Sequence, residues 1–225
     1  IDKPEERKEL KKIEYINLED FNEIIKGVKR KPKIQVNPVI SSTMPHNIIS
    51  RDTYTTPPKG GVYSLEEIFI PFVSIYLKAF SNDWKNKVHH LFIELSKSGY
   101  GRKKSIGKGQ FSVIGIEEFK GFEEVKDADG FVTLSNFCPA QNDPTDGLYK
   151  TFVKYGKLSE EFACLGNPFK RPLIMIRNGA VFKTDGYSKE FYGYMVQDGI
   201  APAKPEVVQY AYAFALPVLY PRITV

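Results

Sequence analysis

Between residues 62 and 120 the hydrophobic pattern changes period twice, and this leaves few ways for the segment to fold. Residues 62–70 and 72–80 are runs of branched and aromatic side chains interrupted only by Pro71, which predicts two neighbouring strands. Residues 83–98 then place Trp84, Val88, Leu91, Phe92 and Leu95 at helical spacing, so they form one apolar face. Asn82 or Asp83 can cap that helix and Gly99 can end it. Residues 110–120 alternate again and predict another strand. The order is strand, strand, helix, strand, on a chain of 225 residues whose 42% hydrophobic content suffices for a sizeable core.

Ahead of this block, residues 4–12 read as a short charged helix and residues 18–27 as a second one ending at Gly27. Residues 28–61 contain Pro32, Pro38, Pro45, Pro57, Pro58 and the pair Gly60-Gly61, which predicts a long irregular or hairpin segment of the kind that carries function. Beyond residue 120 the chain is β-rich: 131–137, 148–155, 173–176, 180–183 and 207–217 read as strands, with one short helical stretch over 158–164. Strand, strand, helix, strand is the last two-thirds of a βαββαβ ferredoxin-like unit, whose opening strand and helix would precede Ile1. The chain opens on Ile1 rather than Met and on a charged run, so further residues are expected upstream. The expected class is α+β with two ferredoxin-like domains, the first without its opening strand and helix, the second β-rich and degenerate. The segments are 1–61, a helical lead with a basic hairpin or loop; 62–120, part of the first domain; and 121–225, the second.

Charge is unevenly spread. Residues 24–51 hold Lys26, Lys29, Arg30, Lys31, Lys33 and Arg51 with no acid, and residues 95–116 hold Lys97, Arg102, Lys103, Lys104 and Lys108, again with no acid. These windows together carry +11 of a net +5, so the remainder is −6, a distribution that points to a localised anionic partner. No run approaches the length of a membrane span and the charged start does not resemble a signal peptide, which predicts a soluble, cytoplasmic protein. Cys138 and Cys164 lack Cys-x-x-Cys spacing and read as small buried hydrophobes.

The richest segment is Gly99-Tyr100-Gly101-Arg102-Lys103-Lys104-Ser105-Ile106-Gly107-Lys108-Gly109-Gln110-Phe111. Its glycines allow tight backbone folding while four cations and Ser105 surround the same space, which suits a clamp for phosphate groups. It is not a nucleotide P-loop: the glycine spacing is one residue too long, Gly109 stands where Ser or Thr belongs, and the loop runs from helix into strand. The dinucleotide fingerprint fails at Ser112. The second segment, 44–56, gathers His46, Asn47, Arg51, Thr53 and neighbouring hydroxyls, donors suited to phosphate, sugar or base edges. His46 also has the chemistry of a general base. His89 and His90 are adjacent on the helix and cannot share a metal, and the acidic runs at 127–130 and 143–147 read as turns. No cofactor or metal site is expected and no motif demands catalysis. The tail places Tyr210, Tyr212 and Phe214 on one strand face, able to stack bases or, more simply, to pack on a helix.

The strand-helix order, the loop Gly-Arg-Lys-Lys-Ser-Ile-Gly-Lys-Gly-Gln-Phe, the upstream His46, Asn47, Ile48, Arg51 and Thr53, and the late run from Leu173 to Phe182 together resemble the RAMP superfamily. The resemblance is strongest to the family of capping subunits that hold the 5′ tag of the guide RNA in type III-A CRISPR Csm complexes. It implies a non-catalytic, antiviral-defence role within a ribonucleoprotein. The chain would be one copy in a hetero-oligomer, bound to crRNA, to the backbone subunit that repeats along the guide, and to the large polymerase-like subunit. It further implies tag contacts from Gly101, Arg102, Lys103, Lys104, Ser105, Gly107, Lys108, Gly109 and Gln110, with His46, Asn47, Arg51 and Thr53 on a hairpin touching RNA or a neighbour. The other reading is a metal-free endoribonuclease of precursor crRNA with His46 as general base and a lysine stabilising the developing charge.

Overall fold

In the computed structural model the described residues are 8–222 except 9, 11, 12, 14, 34–38, 80, 82, 102, 159, 165, 187, 188 and 198. The fold is α+β, with few helices and all strand pairs antiparallel. It divides into two compact units, one of Ile1–Ile16 with Lys33–Ile116, the other of Asn17–Pro32 with Glu117–Val225. The helix expected over 4–12 lies largely outside the described residues. No helix among the described residues is long and apolar enough to cross a membrane.

Unit 1 is built on a hairpin of β1 (Ile40–Asn47) and β2 (Val62–Phe69), followed by helix α1 (Asp83–Ser98). The strand expected at 62–70 and the helix expected at 83–98 are both present. The strands expected at 72–80 and 110–120 do not form: the described residues of both stretches belong to no strand. The cause is pairing. The proline-rich stretch contributes its own strand, β1, and β2 takes that as its partner in full register from Ile40↔Phe69 to Asn47↔Val62. Pro45 is tolerated there because a two-stranded sheet has only edge strands. Among the described residues of unit 1 only Gly61 and Gly99 are buried; Trp84, Leu91, Phe72, Val73 and Ile75 are all exposed.

Unit 2 holds the cores. Its helix α2 (Leu18–Ile25), which precedes α1 in the sequence, opens on Asn17, whose side chain accepts from the Asp20 amide at 2.6 Å. Its Ile25 packs with Val125, Val132 and Val218, and its C-terminus receives the Leu219 amide on the Ile25 carbonyl at 2.8 Å. The helix thus belongs with residues a hundred positions away in sequence. The main sheet is ordered β10 (Ala215–Val218), β3 (Gly130–Thr133), β7 (Val181–Lys183), β4 (Gly147–Leu148). On it Phe131, Phe137, Phe182 and Tyr192 interleave, Phe131 stacking on Tyr192 at 3.8 Å between centroids. Each such aromatic pair contributes about 1 kcal/mol beyond its buried area.

Two ribbons complete the unit: β5 (Thr151–Lys154) with β6 (Leu173–Ile176), and β8 (Gly193–Val196) with β9 (Gln209–Tyr212). The single strand expected over 207–217 is two, β9 and β10, in different sheets. Ser135 pins the break: its hydroxyl donates to the Tyr212 carbonyl at 3.2 Å and accepts the Phe214 amide at 2.7 Å. The helical stretch expected over 158–164 is a 3-10 turn, Glu160–Cys164.

Candidate nucleic-acid interface

The loop after α1 closes on itself. Gly99 continues the helix ladder by donating to the Leu95 carbonyl at 2.8 Å, and the Tyr100 amide donates to the Gly109 carbonyl at 2.8 Å. A Cβ on Gly109, where φ is +75°, would stand 1.9 Å from the Tyr100 carbonyl oxygen, so no other residue fits this crossing. Inside the closure a 3-10 turn, Lys104–Ile106, is entered through Lys103 in the left-handed region at φ 62°. The amides of Ile106 and Lys108 donate to the Lys103 carbonyl and that of Gly107 to the Lys104 carbonyl. The Gly107 amide is therefore committed within the turn, and the loop offers its side chains to a ligand more than its backbone.

Those side chains meet the hairpin. Lys103 Nζ lies 5.9 Å from the centroid of the Tyr63 ring, a cation over an aromatic face. His46 and Tyr63 are directly opposite in the β1–β2 register, and their rings stack at 5.5 Å and 16°. Lys108 Nζ pairs with Glu67 Oε2 at 3.0 Å, the lysine exposed and the glutamate half-buried. The Nε2 atom of His46 is covered and lacks a hydrogen-bond partner among the described residues. Two segments far apart in sequence, the glycine-rich loop and the His46 strand, are thus joined through Tyr63, which sequence reasoning missed. Its signal was register: in a hairpin, position 63 faces position 46.

The other expected site residues fall elsewhere. Asn47 Nδ2 donates to Thr56 Oγ1 at 3.2 Å at the base of the connection between β1 and β2. Arg51 and Thr53 lie in that connection, folded by the Ser50 amide donating to the Thr55 carbonyl at 3.0 Å and the Thr53 hydroxyl bonding Thr55 at 3.0 Å. Arg51 is exposed and forms no ion pair among the described residues. Gly101 sits in open space at φ +97°, and Gln110 is exposed. Lys104 follows Lys103 in the 3-10 turn, and Ser105 is its middle residue. Arg102 lies outside the described residues.

The acidic runs serve the fold. The Asp143 carboxylate accepts from the Ala140 amide at 2.8 Å and the Gly193 amide at 2.7 Å and pairs with Lys189 Nζ at 2.9 Å. Asp129 accepts the Tyr220 amide. Of the tail aromatics, Tyr212 meets Phe191 edge-on, Phe214 lies against Phe122, which in turn meets Phe21 of α2, and Tyr210 stays exposed. Although the residue as a whole is exposed, partial burial at the Tyr210 hydroxyl, then the neighbouring Tyr212, push that hydroxyl above its usual range. Cys138 is buried as expected, but Cys164 is exposed, because the 3-10 turn that carries it leaves it on the surface. Neither a protein-family model nor a curated protein matches the chain.

Proposed function

We propose that this chain is a non-catalytic RNA-binding subunit of a type III-A CRISPR interference complex, holding the 5′ tag of the crRNA and bridging the large polymerase-like subunit to the repeated backbone subunit. On this reading both units are ferredoxin-like RAMP domains. The observation that carries it is the meeting of Lys103 and His46 at Tyr63, which brings both family-like segments into one cationic, aromatic surface. Cations beside an aromatic face suit a single strand, whose phosphates need charge and whose bases need a stacking partner. The exposed apolar side chains of unit 1, among them Ile40, Ile68, Phe69 and Phe72, suit a subunit covered by neighbours. The test is co-expression with Csm neighbours, pull-down on this chain and mapping of RNA 5′ ends. Short RNAs sharing one 5′ tag are expected, and lost when Lys103, Lys104 and Lys108 become Ala; RNA with random ends, or none, refutes the reading.

One observation favours the second reading. His46, Tyr63 and Lys103 form a base, a phenol and a cation in one cluster, groups able to move a proton and stabilise a phosphorane without metal. Metal-free cleavage of repeat RNA that His46→Ala abolishes would replace the capping role by this one.

A further inference from the structure

Unit 2 carries a cationic recess that the reading above does not use. The antiparallel pairing of β5 with β6 runs on past both strands, with the Lys170 amide donating to the Gly156 carbonyl at 2.9 Å and the Leu158 amide to the Pro168 carbonyl at 2.8 Å. This continued ribbon sets Lys154 on one arm and Lys170 with Arg171 on the other, and all three line one shallow recess with Leu173, Ile200 and Gln209. Each cation on the second arm is held against backbone. The stem of Lys170 lies over Gly156, where a Cβ would meet Lys170 Cδ at 3.0 Å. The Arg171 amide donates to the Ile200 carbonyl at 2.7 Å, and its guanidinium lies on Gly199, where a Cβ would stand 2.9 Å from Nη1.

Among the described residues Lys154, Lys170 and Arg171 form no ion pair. Over residues 148–183 the seven Lys and Arg residues face only Glu160 and Glu161. Lys170 is half-buried in a recess with the buried Ile200 at its wall and has Lys154 as a like charge beside it. Accordingly Lys170 is pushed below its usual range, first by burial and then by Lys154. A bound anion would relieve both effects.

We infer that this recess binds one phosphate group, with the Arg171 fork and the ammonium groups of Lys154 and Lys170 as charged donors. Gln209, whose Nε2 donates to the Tyr210 carbonyl at 2.9 Å, has a second N–H to give. Three cations around one small site match a tetrahedral dianion better than a carboxylate, which offers one charge in a plane. The group can arrive as free phosphate or as part of a nucleotide chain, and the inference does not rest on the role of the unit 1 loop.

The test is calorimetric titration of the full chain with inorganic phosphate, in chloride buffer of matched ionic strength. Arg171→Gln or Lys170→Gln should weaken the phosphate Kd by about tenfold or more, the size of one charge-assisted hydrogen bond. Arg171→Lys, which keeps the charge and loses the fork, should fall between. Lys157→Gln should leave Kd unchanged, since Lys157 lies over the Phe169 ring at 5.6 Å and outside the recess. No phosphate-specific heat, or an equal loss in Lys157→Gln, overturns the inference. An oligouridylate is then titrated against phosphate in the Lys103→Ala, Lys104→Ala, Lys108→Ala background, where failure of the loop reading cannot interfere. Displacement of phosphate assigns the site to an RNA chain, and its absence to a small phosphate ligand, both upholding the site.

Discussion

Removing Lys103, Lys104 and Lys108 together should flatten the salt dependence of RNA binding as well as weaken it. Each phosphate neutralised on a single strand contributes about −0.7 to the slope of log K against log salt, so three contacts amount to about −2.1. Between 50 and 200 mM salt that slope corresponds to about a 20-fold loss of affinity in the parent that the variant would not show. The three do not start equal. Lys108 is paired with Glu67 at 3.0 Å, with side-chain exposures of 51% and 35%, and such an exposed pair is worth under about 1 kcal/mol, so phosphate can take it over. Glu67→Gln should therefore tighten binding by about threefold, since it frees Lys108 and removes a negative group from the phosphate path. Fluorescence anisotropy of a labelled oligouridylate across a salt series measures both. A triple variant that keeps the parent's slope would refute the placement of the phosphates on this loop, whatever its absolute affinity.

Two further outcomes follow from unit 2. Asp143→Ala strands the Ala140 and Gly193 amides around a side chain only 2% exposed and leaves the Lys189 ammonium to the Asn142 carbonyl and solvent, which should cost about 3 kcal/mol and speed exchange of those two amides by about a hundredfold; unchanged protection in hydrogen-exchange mass spectrometry would show that the carboxylate is dispensable. The thiols should react unequally, because burial pushes the Cys138 thiol up, with nearby Lys154 opposing only in part, while Cys164 is exposed. One equivalent of thiol reagent should be consumed in the native chain and a second only on unfolding. A folded thiol with raised pKa holds its proton longer than the unfolded one, so its contribution to stability is lost as pH rises through the ordinary thiol range and is intact below it. Two equivalents consumed at equal rates in the native state would contradict this.

How much of the fold was legible depended on whether a signal was local. The helix Asp83–Ser98 was readable because its period and its glycine stop lie within one stretch. The strand Val62–Phe69 was readable by composition, but its partner was not, since Ile40–Asn47 contains Pro45 and two serines and has little of a strand's usual make-up. Alternation at 110–120 describes a face, and a face without a partner makes no strand. In the second half, β8 was not among the expected strands, and the run 207–217 was continuous in sequence although Ser135 splits it between two sheets.

The same distinction decides what was seen of the sites. The loop from Gly99 to Phe111 was found because Arg102, Lys103 and Lys104 are consecutive, Lys108 follows closely and no acid interrupts them. The recess on the β5–β6 ribbon was not, because Lys154 and Lys170 lie sixteen residues apart in sequence with Glu160 and Glu161 between them. In the folded chain those glutamates sit at the 3-10 turn beyond the paired arms, and pairing places Lys154 on the arm opposite Arg171. Cations that a linear scan meets as scattered residues are thereby brought to one stretch of ribbon. Tyr63 is the counterpart in unit 1, an ordinary strand aromatic until register sets it against His46 and beneath Lys103. For this chain, antiparallel pairing is what converts dispersed residues into binding surfaces, and the residues that matter most are those whose partners lie across a ribbon rather than along it.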